Sequence, residues 1–327
     1  MNIVYPVAGK RFLVTGGTGF LGSALTRALA AAGAFVRVLD NDSRGRQRRL
    51  ADVADKVEIV NGDIRDAAAV RAATRGVDGV CHLAYVNGTQ YFYEKPDLIL
   101  DIAVRGMINV IDACIAESVG TLVLASSSEV YQTPGVIPTG ESVPLVVPDP
   151  LNPRFSYGGG KIISELMAVN FGRRHFERVL IFRPHNVYGP DMGNEHVIPQ
   201  FGLRMRKLAA EHPSSVPFPI QGNGRETRSF VYVDDLVAGV LCVMERGEHL
   251  GIYHIGTEEE ITIAALAEKI GRFFGREVVV VPGELQPGST PRRCPDIAKI
   301  RGLGYNPAVS IDDGLARTLP WYAKEEA

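Results

Sequence analysis

The sequence predicts an α/β protein in which a parallel sheet carries helices on both faces. Apolar runs of strand length alternate with segments of helical period through the first half of the chain, in steps of about 25 to 40 residues. The runs are apolar throughout instead of alternating with polar residues, as expected of strands that are covered on both faces. The first run passes directly into a glycine-rich turn and a helix, at residues 11–32, and so begins the strand–helix–strand series.

Six apolar runs in this part of the chain are predicted strands, at 11–15, 35–39, 57–60, 79–83, 122–125 and 179–182. Helical periodicity predicts helices at 21–32, 67–74, 98–117 and 160–174. Further along, the predicted elements are strands at 229–233, 253–255 and 278–281 and helices at 234–245 and 262–274. Thr262 is the predicted N-cap of the last of these helices.

Proline and glycine become frequent after residue 186, and this change predicts two domains. We expect residues 1–185, together with about 225–250, to form the larger domain, with the strand at 229–233 returning to its sheet. Residues of about 186–224 and 251–327 are expected to form a smaller C-terminal α/β domain. The chain length of 327 residues suits this division, at about 150 residues per domain.

Composition and charge exclude several classes of protein. Hydrophobic residues make up 46% and charged residues 22% of the chain, as in soluble globular proteins. The 35 Lys and Arg residues nearly balance the 37 Asp and Glu residues, so we expect no surface for nucleic acid or a membrane. No run approaches the roughly 18 apolar residues of a spanning helix, and the N-terminus lacks the features of a signal peptide. The cysteines at 81, 114, 242 and 294 are far apart, which favours free thiols in the cytoplasm.

A glycine-rich loop follows the first predicted strand. Gly16, Gly19 and Gly22 have the spacing GxxGxxG at a strand-to-helix junction, which is the position required for binding a dinucleotide. Gly16 permits the tight turn, Gly19 lets the backbone approach a pyrophosphate, and Gly22 allows the helix to pack against the strand. The free N–H groups at the helix N-terminus then bind the anion, so we predict a Rossmann fold.

The end of the second strand predicts which dinucleotide is bound. Asp40 lies there, where a carboxylate accepts hydrogen bonds from ribose hydroxyls and repels a 2′-phosphate, so NAD is favoured over NADP. A basic run follows it, Arg44, Arg46, Arg48 and Arg49. We favour a solvated loop for this run, and an arginine that accepts a 2′-phosphate is the alternative. Asp63 ends the third strand, where contact with the adenine edge and N-capping of a helix are equally favoured.

Tyr157 and Lys161 are four residues apart in a predicted helix, so both lie on one face. A phenol with an ordinary pKa near 10 is a poor base at neutral pH, but a nearby ammonium group and an oxidised nicotinamide both favour the phenolate. Tyr157 would then take a proton from a sugar hydroxyl. Ser127 lies at a serine-rich strand end, where it would share that proton. Turn formation and helix capping are the alternative for these serines.

The order of the motifs along the chain carries a family resemblance. The motifs are GGTGFLG (16–22), LDN (39–41), GDIRD (62–66), HLA (82–84), SSSEVY (126–131), YGGGK (157–161), RPHNVYGP (183–190), RSFVYVDDL (228–236) and PRRCPDIAKIRGLGYNP (291–307). Over nearly the whole chain they resemble the extended short-chain dehydrogenase/reductase superfamily, specifically its NAD-dependent nucleotide-sugar epimerase/dehydratase family. The resemblance implies a Rossmann domain with a smaller substrate domain, NAD as cofactor, a nucleotide-diphosphate sugar as substrate, and a homodimer.

The resemblance also implies roles for individual residues. Tyr157 matches the general acid/base, Lys161 its ribose-binding partner, and Ser127 the catalytic Ser/Thr. The other cofactor-binding candidates are Gly16, Gly19, Phe20, Leu21, Gly22, Asp40, Asn41, Asp63, Ile64, Leu83 and Ala84. The substrate-binding candidates are Ser127, Ser128, Asn186, Arg228, Arg292 and Arg293. Arginine suits a diphosphate because its guanidinium contacts are bidentate, and surface salt bridging is the alternative.

Two features depart from the family pattern. Glycines fill the interior of YGGGK, at 158–160, at a cost to helix stability of about 1 kcal/mol each. Close backbone approach to a ligand and a late helix start are the two interpretations of this run. The segment 191–196 has no role that the resemblance assigns. We expect no metal there, because His185 and His196 lack the spacing and partners of metal ligands.

Oxidation at sugar C4 is the first step that the family shares. We predict a 4-epimerase, which needs only that the keto sugar turn over and be reduced on its other face. A 4,6-dehydratase or a uronate decarboxylase is the alternative. Glu129 distinguishes them, as a catalytic carboxylate or as a local hydrogen-bonding group. The non-enzyme alternative is an NAD-sensing scaffold, which would not need Tyr157, Lys161 and Ser127 together. The predicted helices 98–117 and 160–174 resemble the family's dimer-forming pair.

Overall fold

The computed structural model describes residues 4–284 and 290–324. The strands are β1 (Arg11–Thr15), β2 (Phe35–Asp40), β3 (Val57–Asn61), β4 (Gly79–His82), β5 (Thr121–Ala125), β6 (Arg178–Pro184), β7 (Val187–Tyr188), β8 (Ser215–Gln221), β9 (Thr227–Ser229), β10 (Val231–Tyr232), β11 (Gly251–Ile255), β12 (Glu260–Thr262), β13 (Glu277–Gly283) and β14 (Arg292–Arg293). The α-helices are α1 (Phe20–Ala31), α2 (Ala67–Thr74), α3 (Thr89–Glu94), α4 (Pro96–Asp101), α5 (Met107–Ala116), α6 (Ser156–His175), α7 (Val197–Glu211), α8 (Val233–Arg246), α9 (Ile263–Phe273), α10 (Ala298–Arg301) and α11 (Ile311–Lys324).

Seven parallel strands form the large sheet, in the order β11-β6-β5-β4-β1-β2-β3. The chain winds outwards from β1 in one direction to β3 and then in the other from β4 to β11. This is the doubly wound Rossmann sheet that the sequence predicts. Because the order reverses between β1 and β4, a crevice opens at the carboxyl ends of these strands.

Helices cover both faces of the large sheet, as the apolar strand runs predict. On one face, Leu29 of α1 and Val240 of α8 belong to the same buried cluster as the sheet residue Val14. On the other face, Val70 of α2 and Ile111 of α5 belong to a second buried cluster, to which α6 also contributes. The strands are therefore shielded from water on both sides, which explains why their sequences do not alternate.

A second unit contains the small sheets β12-β9-β14, β13-β8 and β10-β7. Its buried cluster joins Met205 of α7, Leu266 of α9 and Leu319 of α11. Thr262 caps α9 by accepting a hydrogen bond from the backbone N–H of Ala265, as predicted. No helix within 4–284 and 290–324 is long and apolar enough to cross a membrane.

Two strands lie in a different sheet from the predicted one. β11 pairs with β6 in the large sheet, although residues from 251 onwards were expected in the second domain. The predicted strand at 229–233 does not return to the large sheet: β9 pairs with β12 and β14, and β10 pairs with β7. The helix that follows this segment, α8, does pack onto the large sheet. An apolar run predicts a strand, but the choice of its partner depends on contacts distant in sequence.

The late helix start proposed for residues 158–160 is wrong, because α6 begins at Ser156 and includes all three glycines. A Cβ at Gly158 would overlap the Gln132 side chain, and a Cβ at Gly160 would overlap the Tyr85 hydroxyl. Two of the three glycines therefore allow close packing against neighbouring residues.

Of the helices in the described residues, α3, α7, α10 and α11 escaped prediction, and two of these, α7 and α11, contain a proline. Pro199 lies in the first turn of α7, where a missing N–H removes no hydrogen bond within the helix. Pro320 lies inside α11, where proline ordinarily argues against a helix. The predicted helix at 98–117 is divided into α4, a π-helical turn at Ile102–Gly106, and α5.

Candidate active site and cofactor cavity

A cavity of about 400 Å³ lies at the carboxyl ends of the large sheet, where the strand order reverses. The predicted residues that line it are Gly16, Gly19, Phe20, Leu21, Gly22, Asp40, Asn41, Asp63, Ile64, Leu83, Ala84, Ser127, Ser128, Glu129, Tyr157, Lys161, Asn186 and Arg293. Residues from the ends of β1 to β6 thus meet in one place, as the topology of an open parallel sheet requires.

The glycine loop between β1 and α1 forms a cradle for a dinucleotide. Gly16 has a φ of 73°, and a Cβ there would lie 2.7 Å from the backbone of Ala84. A Cβ at Gly22 would overlap the Gly16 carbonyl, so the helix packs directly on the turn. Gly19 is the N-cap of α1 and offers no side-chain acceptor, which leaves the first-turn N–H groups available to an anion. These features fit the pyrophosphate of NAD.

Asp40 and Asp63 lie where the ribose and adenine of NAD are expected. The Asp40 carboxylate accepts hydrogen bonds from the backbone N–H groups of Thr18 (3.0 Å) and Asp42 (2.9 Å), which fix its orientation. Asp63 accepts from Arg65, whose side chain lowers the pKa of this carboxyl to about 2. N-capping by Asp63 is wrong, because Asp66 caps α2.

The basic run after Asp40 is only in part the solvated loop that we favoured, because Arg46 and Arg48 are exposed but Arg44 and Arg49 are half-buried against carboxylates. The Arg44 guanidinium lies 3.2 Å from the Glu195 carboxylate. Arg49 contacts both carboxylate oxygens of Asp191, at 3.0 and 3.1 Å, and donates to its backbone carbonyl. Arg48 donates to the same carboxylate. These five residues form an interloop clasp that joins the loop after β2 to the unassigned segment 191–196.

The interloop clasp borders the cofactor cavity. Arg44, Arg49 and Glu195 line the cavity together with Asp40 and the glycine loop. Arg44, Arg48 and Arg49 are therefore already paired with carboxylates, and this pairing disfavours the interpretation of the run as a 2′-phosphate site. The sequence analysis missed this role because the partners are more than 140 positions apart.

Tyr157 lies in the first turn of α6, with its ring packed between two other aromatic rings. The Phe92 ring stacks on it at a centroid distance of 4.9 Å, and Tyr85 meets it edge-on at 5.2 Å. Burial raises the pKa of Tyr157 to about 12, although a hydrogen bond with Ser127 lowers it. Tyr157 and Ser127 both line the cavity, and their proton sharing stays a prediction.

Lys161 lies one turn after Tyr157 and is buried. Its Nζ donates to the Ala125 carbonyl at 2.7 Å and lies 3.9 Å from the Tyr85 ring centroid. Burial lowers the pKa of Lys161 to about 7. We expected this ammonium group to lower the pKa of Tyr157. The residues of the protein alone do not do so, because burial raises the pKa of the phenol.

A buried ion pair supports the strand ends behind the catalytic residues. Glu165, one turn after Lys161, accepts hydrogen bonds from Arg183 at 2.8 and 2.6 Å and from the Ser126 hydroxyl. Arg183 also donates to the Tyr131 hydroxyl. This network joins α6 to the ends of β5 and β6 and so fixes the position of the serine-rich segment.

Glu129 directly follows the serine segment, whose first residue Ser126 belongs to this network. It is paired with arginines. Arg293 Nη1 lies 2.5 Å from its carboxylate, and Arg154 Nη2 lies 3.9 Å away. Burial alone would raise the pKa of Glu129, but these guanidinium groups outweigh it and the pKa lies below its ordinary value. The buried Nε atoms of Arg154 and Arg293 have no hydrogen-bond partner within the described residues.

The other predicted substrate residues divide between the cavity and its surroundings. Asn186 lines the cavity and donates to the Ser229 carbonyl at 3.0 Å. Arg228 and Arg292 are not among the lining residues in the described part of the chain. Arg292 forms an exposed bidentate pair with Glu260. Arg228 donates to backbone carbonyls, and burial lowers its pKa to about 10, with a further contribution from the charge of Arg293.

The two histidines near the cavity are separated in the structure. His185 is buried beside the ring of His254, at a centroid distance of 4.7 Å, whereas His196 lines the cavity. Within residues 4–284 and 290–324, no three His, Cys, Asp or Glu side chains are grouped as a metal site.

Tyr85, Phe92 and Arg154 are among the cavity residues that were not predicted from the sequence. For two of them, the position beside a motif in the sequence could have indicated the role. Tyr85 directly follows the motif HLA, and Arg154 lies three residues before Tyr157. Phe92 has no such signal, because it reaches Tyr157 from α3 through tertiary packing alone.

Comparisons with known proteins identify the family of this chain. A model of the NAD dependent epimerase/dehydratase family matches residues 12–256. UDP-glucuronic acid decarboxylase 1 of Xenopus tropicalis is 31% identical over 322 residues, which cover 97% of this chain and 73% of that protein.

Two solved structures represent other reactions of similar proteins. A double mutant of DesIV, a dTDP-glucose 4,6-dehydratase from Streptomyces venezuelae with NAD bound, has a TM-score of 0.82 and 33% identity, over 96% of this chain and 97% of that one. The UDP-glucose 4-epimerase of Thermus thermophilus in complex with NAD has a TM-score of 0.83 and 26% identity, over 96% of this chain and 99% of that one.

The family match reaches from β1 to β11 and so covers nearly all of the large sheet. The glycine cradle and Asp40 fit NAD independently of that match. This protein therefore belongs to the NAD dependent epimerase/dehydratase family.

Proposed function

We propose that the protein converts a nucleotide-diphosphate uronate by oxidation at sugar C4 followed by loss of carbon dioxide. The observation that carries the proposal is the cluster of Arg154 and Arg293 around Glu129. The cluster has one guanidinium more than carboxylates, and two of its buried N–H donors lack partners within the described residues. Surplus positive charge with free donors suits a sugar that carries its own carboxylate.

The cluster lies at the reacting end of the cavity. Glu129, Arg293 and Tyr157 line the same cavity, and the charge of Glu129 contributes to the raised pKa of Tyr157. Arg154 enters the cavity from the segment directly before α6, three residues ahead of Tyr157. A carboxylate bound by Arg154 and Arg293 would therefore lie beside the carbon whose hydroxyl faces Tyr157.

Tyr157 is the proposed acid and base, with Ser127 sharing its proton. NAD, when bound, supplies the reversible two-electron oxidation of C4 and a positive charge that favours the phenolate. Tyr157 takes the proton of the C4 hydroxyl as that carbon is oxidised. Lys161, held near the end of β5 by the Ala125 carbonyl, is the proposed donor to the cofactor ribose.

Loss of carbon dioxide follows from the position of the new ketone. A C4 ketone makes the C6 carboxylate part of a β-keto acid. The bond between C5 and C6 breaks, carbon dioxide leaves, and the electron pair moves to the C4 oxygen as an enolate. Tyr157, now protonated, donates a hydrogen bond to that oxygen. A proton from water adds to C5, the hydride first removed from C4 returns to that carbon, and Tyr157 gives its proton back to the C4 oxygen, so the product is a nucleotide pentose.

The predicted 4-epimerase is the second candidate, because Tyr157, Ser127 and Lys161 alone suffice for oxidation and reduction at C4. A 4,6-dehydratase needs a base at C5, and Glu129 is the expected one. Its ion pair with Arg293 makes Glu129 a weaker proton acceptor, which disfavours that reaction. The similarity to a UDP-glucuronic acid decarboxylase supports the uronate reaction.

The product mass separates these candidates. UDP-glucuronate, UDP-glucose and dTDP-glucose are incubated separately with the protein and NAD, and the products are analysed by mass spectrometry. The proposal predicts a product lighter by carbon dioxide from UDP-glucuronate. Loss of water from dTDP-glucose would instead establish a dehydratase. An isomer of unchanged mass from UDP-glucose, recognised by a new sugar signal in the proton NMR spectrum, would establish an epimerase.

A further inference from the structure

We infer that Tyr85 is a positioning residue for the catalytic pair, with its ring carrying the Lys161 ammonium group on one face and packing against Tyr157. The inference rests on the roles proposed above for Tyr157 and Lys161. Tyr85 lies in the loop after β4, directly after the motif HLA, and lines the cavity.

The contacts of Tyr85 join the two residues. Lys161 Nζ lies 3.9 Å from the Tyr85 ring centroid, well within the distance of a cation–π interaction. The planes of the Tyr85 and Tyr157 rings are 87° apart, which is the favourable edge-to-face arrangement. The Tyr157 ring centroid lies farther from Lys161 Nζ, at 6.0 Å. Tyr85 is thus the aromatic residue that holds the ammonium, while the Ala125 carbonyl holds it from the sheet.

Gly160 explains how Tyr85 reaches this position. A Cβ at residue 160 would overlap the Tyr85 hydroxyl and lie 2.8 Å from the Ala103 Cβ. The missing side chain therefore makes room for the hydroxyl end of Tyr85 against the first turns of α6, and so lets the whole side chain lie there. This accounts for one of the glycines that depart from the family pattern.

The ring of Tyr85, and not its hydroxyl, is what the site uses. The hydroxyl oxygen is buried and has no hydrogen-bond partner within the described residues. Replacing Tyr85 by Phe therefore removes no hydrogen bond and keeps the aromatic face. Replacing it by Leu keeps an apolar side chain of similar bulk but removes the attraction for a cation.

Other titratable groups lie near Lys161, but they do not replace the interaction of its ammonium group with the Tyr85 ring. Glu165, on the same helix, favours the ammonium form, but its carboxylate is shared with Arg183. His82, on β4, is neutral near pH 7 because burial and the Lys161 charge lower its pKa to about 3. Tyr157 is also neutral, with its pKa raised by burial. Loss of the Tyr85 ring is therefore expected to lower the pKa of Lys161 by about one unit.

The test is an NMR titration of NAD-loaded protein labelled with ¹³C at the lysine Cε. The Lys161 resonance is assigned by its absence in Lys161→Met. We expect Tyr85→Leu to move the titration midpoint about one unit to lower pH, and Tyr85→Phe to leave it within about 0.3 unit of the wild-type value. Phe92→Leu is the matched control, because Phe92 stacks on Tyr157. Its midpoint should also remain near that of the wild type.

Kinetics with UDP-glucuronate provide a second readout. Tyr85→Leu should reduce kcat about tenfold with KM changed less than about twofold, and Tyr85→Phe should restore kcat. An unchanged midpoint in Tyr85→Leu, or equal shifts in the Leu and Phe variants, would overturn the inference. If Tyr85→Leu fails to fold, Tyr85→Met provides the same loss of the ring. The titration needs no turnover, so a failure of the proposed reaction is recognised separately by inactivity of the wild type.

Discussion

Arg293 Nη1 lies 2.5 Å from Glu129 Oε1, although the two residues are 164 positions apart. Glu129 follows β5 of the large sheet, whereas Arg293 belongs to β14 of the small three-stranded sheet. The second unit thus contributes a charged group directly to the end of the cavity where Tyr157 lies.

Replacing Arg293 by Gln is expected to lower kcat/KM for UDP-glucuronate about 10- to 100-fold, because a charged hydrogen bond to the sugar carboxylate is lost. Steady-state kinetics measure the change. Arg292→Gln is the matched control, since the neighbouring arginine pairs with Glu260 at the surface. Equal losses in the two variants would contradict the role of Arg293.

Replacing Tyr157 by Phe is expected to reduce C4 oxidation at least about 100-fold, because the phenol is the proposed proton acceptor. Absorbance of the reduced cofactor in a single turnover measures this step. The protein should still bind NAD, because the glycine cradle and Asp40 are untouched. Oxidation at the wild-type rate in Tyr157→Phe would show that another group takes the proton.

The pKa of Lys161 predicts how stability depends on pH. Burial lowers this pKa from 10.5 to about 7 in the folded protein. Between these values the unfolded chain binds the extra proton, so the Lys161 contribution to the free energy of unfolding increases as pH rises from 7 to 10. Each pH unit adds up to about 1.4 kcal/mol.

Urea unfolding of NAD-free protein at several pH values tests this prediction. The wild type should gain stability relative to Lys161→Met between pH 7 and pH 10. Below pH 7 the difference between the two proteins should become constant, because both the folded and the unfolded wild type then carry the proton. A difference that stays flat from pH 7 to pH 10 would contradict the lowered pKa of Lys161.

Breaking the interloop clasp is expected to accelerate release of NAD. Asp191→Asn should have a larger effect than Glu195→Gln, about tenfold against about threefold, because the Arg49–Asp191 pair is bidentate and mostly buried. The dissociation rate is measured by displacement of bound NAD in a stopped-flow instrument. Glu117→Gln, which breaks an ion pair with Arg71 at the surface, is the control. Indistinguishable rates in all three variants would leave the clasp without a role in retention.

The predicted homodimer places its interface on α5 and α6. Ile108, Ile163 and Leu166 are large apolar side chains that remain 40% to 56% exposed on these helices. Leu166→Glu should therefore convert a dimer to a monomer, as measured by analytical ultracentrifugation. Phe273→Glu, at an exposed apolar site on α9, should leave the assembly unchanged. A monomeric wild type would refute the prediction.

Local signals in the sequence predict the cofactor half of the site well. The spacing of Gly16, Gly19 and Gly22 reflects backbone contacts within one turn, so it is readable without the fold. The apolar runs also predict where the strands end, and so they place Asp40 at the end of β2. The chemistry of Glu129 could not be read in this way, because its charge state depends on Arg154 and Arg293, which approach it through tertiary structure.

The same limit explains the errors in the fold. β11 and the segment 229–233 are both short apolar runs, and their sequences do not show that only the first joins the large sheet. The glycines at 158–160 predict a weak helix, yet their role is set by Gln132 and Tyr85, which lie outside the helix. The roles that could not be predicted from the sequence are those that depend on partners distant in sequence.

Release of carbon dioxide from UDP-glucuronate labelled with ¹³C at C6 tests the central claim most directly. The account predicts that the wild type, with NAD, transfers the label to carbon dioxide and bicarbonate, with a nucleotide pentose as the other product. Arg293→Gln should do so about 10- to 100-fold more slowly. A wild type that binds NAD and UDP-glucuronate but retains the label in the sugar would contradict the account.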